Sequence, residues 1–147
     1  MKICYFTCSS NFGGMEKIVI DTLNKISKNI DCSILIPKDC NYKNKFSSTV
    51  KLIEYKSSNK RYNPFLYIEI FNILKEYTIV HTHGGKATKI AYILNKFSSF
   101  IHVATKHNIR KGKIFNKVKN VISVSSEVSK TITHKSKVLY FGVDGPL

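Results

Sequence analysis

Apolar positions along this chain follow two alternating rhythms. Short runs, most of them continuously apolar, read as strands: Ile3–Cys8, Cys32–Ile36, Val50–Tyr55, Thr78–Thr82, Phe100–Thr105, Val121–Val124 and Lys137–Tyr140. Between them lie stretches with helical spacing: Met15–Ser27, Pro64–Glu76, Lys86–Lys96 and Glu127–Thr133, with a short piece near Ile114. In the first of these, Met15, Ile18, Val19, Leu23 and Ile26 recur three or four residues apart, which lines one helix face. Strands that are continuously apolar are expected where both sheet faces are covered. The alternation therefore predicts an α/β fold, a doubly wound parallel sheet in a single domain. Pro37–Thr49 is the exception, a polar stretch that joins strand two directly to strand three.

In such a sheet, ligands bind beyond the C-terminal ends of the strands. Four of those ends carry suggestive residues. Gly13-Gly14-Met15-Glu16 follows strand one, and His83-Gly84-Gly85-Lys86 follows strand four. Lys106-His107-Asn108 follows strand five, and Ser125-Ser126-Glu127 follows strand six. The Gly13-Gly14 pair lets backbone turn tightly and approach a ligand with no Cβ in the way. The helix behind it points free N–H groups into the same space, which suits phosphate or a sugar hydroxyl. A plain strand–helix turn would use the same glycines. His83 and His107, at a cleft rim, can orient a hydroxyl or donate to a sugar; exposed histidines of a basic loop would look alike. Ser125 and Glu127 read as a helix cap with an early acidic residue, whose N–H groups can also face the cleft.

Other chemistries fit poorly. The G-x-G-x-x-G spacing is absent, and strand two ends in Ile36-Pro37-Lys38 without an acidic residue for a ribose, so a dinucleotide site is not expected. His81 and His83 share a strand face at roughly 6–7 Å. No Asp, Glu or Cys stands nearby in sequence, so no metal is expected. The four cysteines, Cys4, Cys8, Cys32 and Cys40, match no zinc or redox spacing. No signal peptide or membrane-spanning run is evident, so a cytoplasmic location with reduced thiols is expected.

Charge adds a possible surface. The net charge is +15 in 147 residues, and only Arg61 and Arg110 are arginines. No acidic residue lies between Glu76 and Glu127, whereas nine Lys or Arg residues do. The densest part is Lys106, Arg110, Lys111, Lys113, Lys117 and Lys119, a face suited to anionic partners. Scarce arginine and few interleaved aromatics disfavour nucleic acid. An AT-rich genome would also enrich Lys, Asn and Ile. The aromatic stretch Pro64–Leu74 suits packing on the sheet, or a membrane edge.

The ordered motifs resemble the N-terminal domain of a family 4 retaining glycosyltransferase of GT-B fold. Gly13-Gly14-Met15-Glu16 resembles its G-G-x-E loop. Ile79-Val80-His81-Thr82-His83 resembles the D-I-V-H-x-H strand, with Thr78 in place of Asp. Ala104-Thr105-Lys106-His107-Asn108 resembles the T-x-H segment, and Val121–Glu127 the V-S-E segment. Lys137–Asp144 resembles the closing strand and N-G-V-D turn, with Phe141 in place of Asn. The resemblance implies residues 1–147 as a Rossmann-like, acceptor-binding half of a bacterial transferase of polysaccharide biosynthesis. It implies a nucleotide-sugar co-substrate, no further cofactor, and a glycan or lipid-linked acceptor. His107 would be the catalytic-site contact. Gly13, Gly14, Glu16, His83, Gly84, Lys106, Asn108, Ser125 and Glu127 would bind donor or acceptor. The donor-binding C-terminal domain lies beyond Leu147, so a truncated protein inactive alone is expected. The rival expectation is a non-catalytic basic module that binds anionic membrane or nucleic acid, with peripheral contact to the inner leaflet.

Overall fold

A computed structural model describes residues 1–60 and 62–140. Seven parallel strands, β1 (Ile3–Thr7), β2 (Cys32–Pro37), β3 (Lys51–Tyr55), β4 (Ile79–His83), β5 (Ile101–Lys106), β6 (Asn120–Ser123) and β7 (Lys137–Val138), form one sheet. Their order is β3-β2-β1-β4-β5-β6-β7. Every pairing is parallel, with Thr7 opposite His83 and His83 opposite Thr105. The doubly wound sheet expected from the apolar rhythm is therefore present. The winding reverses between β1 and β4, which opens a crevice at their C-terminal ends.

Alternate residues of the strands feed two cores. Cys4, Phe6, Leu35 and Val80 pack with α2 (Pro64–Leu74) and α3 (Gly85–Leu94) on one face. Tyr5, Ile34 and Ile36 pack on the other face with α1 (Gly14–Ile26) and with Cys40, Tyr42 and Val50 of the β2–β3 link, whose helical part is one 3₁₀ turn at Lys43–Lys45. In α2, Leu66, Ile70 and Leu74 recur every fourth residue and are fully buried. Pro64 occupies its first turn, and the Asn63 side chain accepts from Phe65 N. A third cluster sets Ala104 and Val121 against Phe115, Val118 and Ile132.

Two elements reach only about half their expected length. The helix expected over Glu127–Thr133 is α4, only Ser126–Ser129. Hydroxyls take over where it stops: Thr131 Oγ1 donates to Val128 O at 2.6 Å, and Ser129 Oγ meets Ser136 Oγ at 3.0 Å. Such side-chain bonds compete with the helical ladder. The strand expected over Lys137–Tyr140 pairs only at Lys137–Val138. The rest of the Lys137–Asp144 motif, from residue 141, lies outside the described residues.

Candidate functional site

The loop from Cys8 to Gly13 leaves β1 and enters α1. Residues far away in sequence hold it. Asn41 N donates to Ser10 O at 3.0 Å, Phe12 N donates to Asn41 Oδ1 at 2.9 Å, and Tyr42 OH donates to Ser9 O at 2.6 Å. From the other side, Asn59 Nδ2 donates to Cys8 O at 2.9 Å. Asn59 O in turn accepts from Lys86 Nζ, at the start of α3. None of Asn41, Tyr42 and Asn59 was expected at the site, because no local motif marks contacts this distant in sequence.

The two glycines of this loop differ in purpose. Gly13 is extended, at φ −160°, and the Glu16 carboxylate lies over it: a Cβ at Gly13 would sit 3.0 Å from Oε1. Gly14 begins α1, and a Cβ there would meet nothing within 4 Å. Neither glycine has a positive φ; among the described residues only Gly84 does. The expected tight turn at Gly13-Gly14 is therefore not a conformational demand for glycine. Open space above Gly14 is instead room that a side chain would fill. Gly84, at φ 90° and ψ 153°, is where the backbone requires glycine.

Histidines form the wall of the crevice. His83, 2% exposed, stacks against Tyr5, with centroids 5.4 Å apart, and His81, at 4.5 Å, while Tyr5 and His81 are 4.6 Å apart, so the three rings touch one another. His83 Nδ1 lies 2.8 Å from His107 Nε2, while His81 Nε2 lies 2.5 Å from Thr105 Oγ1. His83 Nε2 and His107 Nδ1 are buried without a partner. Burial pushes the His107 pKa down to about 4. Burial, with His107 and His102 adding repulsion, takes His81 to about 3. His83 also falls well below the ordinary value, through burial first and then His81 and His107. At neutral pH this wall is polar and uncharged. It can donate to or accept from hydroxyls and phosphate oxygens, and supplies no counter-charge.

The remaining residues expected at the site are dispersed. Lys106 is 2% exposed and turns to the opposite side of β5 from the histidines. Its Nζ donates to Thr131 Oγ1 at 2.6 Å and lies 5.7 Å from the centre of the Phe115 ring. Burial lowers its pKa. The structure thus does not bring Lys106 to the crevice; strand alternation sends Thr105 to the histidine face and Lys106 away from it. Asn108 is exposed, and its Oδ1 accepts from Arg110 N at 3.1 Å. Ser125 caps α4, accepting from Val128 N at 3.2 Å. Glu127 is exposed, its carboxyl held below the usual range by its own backbone N–H and then by the Ser125 hydroxyl. What the fold does join is a chain of contacts from Gly13-Gly14 and Glu16, through Met15 against Gly84, to His83 and His107. Beside it, at the ends of β2 and β3, lies a recess of about 460 Å³ lined by Lys38, Asp39, Ser57, Ser58 and Asn59 among others. Among the described residues, no three of His, Cys, Asp and Glu converge as a metal-holding group.

No protein-family model matches the chain, and no curated protein matches it. Solved structures do. Anabaena Alr3699/HepE in complex with UDP-glucose superposes with a TM-score of 0.81 at 18% identity, over 98% of this chain and 44% of that one. The lipopolysaccharide outer core galactosyltransferase WaaB gives 0.67 at 20% identity, over 89% of this chain and 41% of that one. Sucrose-phosphate synthase from Thermosynechococcus elongatus gives 0.67 at 11% identity, over 95% and 47%. The chain spans less than half the length of each of these. Its fold is the Rossmann-like α/β fold of the N-terminal half of GT-B glycosyltransferases.

Proposed function

We propose that this chain is the acceptor-binding half of a retaining glycosyltransferase, which takes a sugar from a nucleotide-sugar donor and passes it to a glycan or lipid-linked acceptor. The observation that carries the reading is the contact chain from the open N-terminus of α1 at Gly14 to the neutral His83–His107 pair. Amides at a helix start favour a diphosphate oxygen. Uncharged imidazoles beside them favour sugar hydroxyls. The recess at the ends of β2 and β3 offers the side chains of Lys38, Asp39, Ser57, Ser58 and Asn59 to a glycan. Relatives by fold support the donor class, since HepE is bound to UDP-glucose in its own structure. In this reading His107 contacts the transferred sugar, Gly13 and Gly14 admit the donor phosphates, and Glu16 faces the same space. No cofactor beyond the nucleotide sugar takes part.

The test is titration of the ¹⁵N-labelled chain with UDP-glucose and other nucleotide sugars, read by amide shifts. Binding is expected only in the millimolar range, about −4 kcal/mol, with shifts gathered at Gly13, Gly14, Gly84 and His107. No sugar transfer by the 147-residue chain is expected. Shifts confined to other surfaces would remove the assignment of the crevice; turnover by the chain would remove the reading of it as a half.

A second reading, peripheral contact with an anionic inner leaflet, is favoured by a surface feature. Phe65, Ile68 and Phe97 are 72%, 57% and 73% exposed. Tyr67, Ile68, Phe71, Leu94 and Phe97 line an apolar groove between α2 and α3. Tyr67 also borders an adjoining pocket shared with Lys89 and Ile114, so the groove runs into the segment that bears exposed Lys111, Lys113 and Lys117. Apolar side chains with lysines beside them suit the interface of an anionic bilayer. Among the described residues, no helix is long and apolar enough to cross a membrane.

A further inference from the structure

Two imidazoles joined by one hydrogen bond share one proton between them. His83 Nδ1 and His107 Nε2 are 2.8 Å apart, so one nitrogen donates and the other accepts. With both rings neutral, this leaves one N–H and one lone pair on the outer nitrogens, His83 Nε2 and His107 Nδ1. Both of those atoms are buried and unpartnered. If His107 Nε2 donates, the orphan N–H is on His83, a 2% exposed ring stacked against Tyr5 and His81. If His83 Nδ1 donates, the orphan N–H is on His107, whose Nδ1 is also buried but belongs to the shallower, half-buried ring and so lies nearer solvent. A buried N–H without an acceptor is costlier than a bare lone pair and rarer in folded proteins. The deeper ring therefore keeps the lone pair.

We propose that His83 is a positioning residue: its Nδ1–H donates to His107 Nε2 and fixes His107 as the Nδ1–H tautomer. Free histidine favours the opposite tautomer, with the proton on Nε2, so the pair works against the intrinsic preference of His107. The consequence is chemical. His107 carries its proton at Nδ1 and has no lone pair there, so a hydroxyl or phosphate oxygen that reaches this atom, buried in the chain without ligand, meets a donor and not a base. This deepens the reading of His107 as the sugar contact and rests on it only for that consequence. The tautomer itself belongs to the chain without any ligand.

The experiment is long-range ¹H–¹⁵N correlation of the histidine rings in the ¹⁵N-labelled chain at pH 7.5, with no nucleotide sugar present. His107 is expected to show a protonated Nδ1 and an unprotonated Nε2. In His83→Phe, which keeps a ring in the stack but has no nitrogen, His107 should revert to the Nε2–H form. In His83→Asn, whose amide can donate from nearly the same position, it should remain Nδ1–H. An Nε2–H His107 in the wild type overturns the proposal, whether or not the variants fold. So does an Nδ1–H form that persists in His83→Phe, or one lost in His83→Asn. Failure of the glycosyltransferase reading would leave all three spectra unchanged, so the two ideas fail separately.

Discussion

The thioether of Met15 rests against Gly84: a Cβ built on Gly84 would lie 3.5 Å from Met15 Sδ and 3.6 Å from its methyl carbon. This contact ties the loop after β1 to the loop after β4, across the point where the sheet reverses direction. The packing would accept a methyl group at ordinary contact distance. The backbone would not, because φ 90° with ψ 153° is a region essentially reserved for glycine. Gly84→Ala is therefore expected to cost about 1–3 kcal/mol. Gly14→Ala, in open space at the first residue of α1, should be neutral or stabilising by about 0.4–1 kcal/mol. Urea unfolding of the two variants checks this, and an equal loss in both would mean that both glycines are conformational.

Function should sort the same two positions differently. On the proposed glycosyltransferase reading, Gly14→Val in a longer protein that carries the donor-binding half is expected to abolish sugar transfer while leaving the fold in place, because its branched side chain fills the space above the α1 amides. Circular dichroism and a radiolabelled-sugar assay read the two properties separately. Full activity in a folded Gly14→Val enzyme would reduce the loop to a turn.

Acid should weaken this protein well before its carboxylates protonate. An unfolded histidine titrates near 6.5. His102, buried with Nε2 2.9 Å from Thr82 Oγ1, is held down at about 4 by burial. His81, His83 and His107 shift in the same direction. Below pH 6.5 the unfolded chain takes up protons that the native chain refuses. Stability is thus complete above pH 6.5 and falls as pH drops towards 4, by roughly 1.4 kcal/mol per pH unit for a fully buried histidine. Urea midpoints at pH 7.5 and 5.0 measure the effect. Coincident midpoints would show that these rings are solvated in solution.

The groove and the lysines can be separated on vesicles. Replacing Lys111, Lys113 and Lys117 with glutamine should weaken binding to anionic vesicles by two or more orders of magnitude at low salt, at roughly 1 kcal/mol per lysine. The deficit should shrink as salt rises, since screening shortens the reach of charge to about 8 Å at physiological ionic strength. Serine at Phe65, Ile68 and Phe97 should also weaken binding, but with little dependence on salt. Co-sedimentation across a salt series decides; unchanged binding in both variants would leave the basic character to genome composition.

Much of the architecture was legible because central strands buried on both faces, such as β2, advertise themselves as apolar runs; the exposed edge strand β3 also appears in place, and β7 is cut to two residues. The helix after β6 was over-extended because Thr131, Ser129 and Ser136 form hydroxyl bonds that spacing does not reveal. G-G-x-E and T-x-H lie in loops that the fold brings to one rim, but individual side chains of these segments part company. Lys106 adjoins His107 in sequence, yet it faces the Phe115 cluster because neighbours on a strand point to opposite sides. The demand for a positive φ sat at Gly84 rather than in the glycine pair, and a sequence does not say which glycine bears the strain. Asn41, Tyr42 and Asn59 escaped notice because their partners lie 29 to 51 residues away.

The link between β2 and β3, which has no α-helix, has a consequence for affinity. Its Asn41 and Tyr42, and Asn59 from beyond β3, already hold Cys8, Ser9, Ser10 and Phe12 through backbone atoms. Confining a residue to one backbone well costs roughly 1–2 kcal/mol in entropy. In this protein that cost is met during folding, before any ligand arrives. On the proposed reading, a donor meeting the loop would find it preorganised and keep for binding the free energy that a floppy loop would consume.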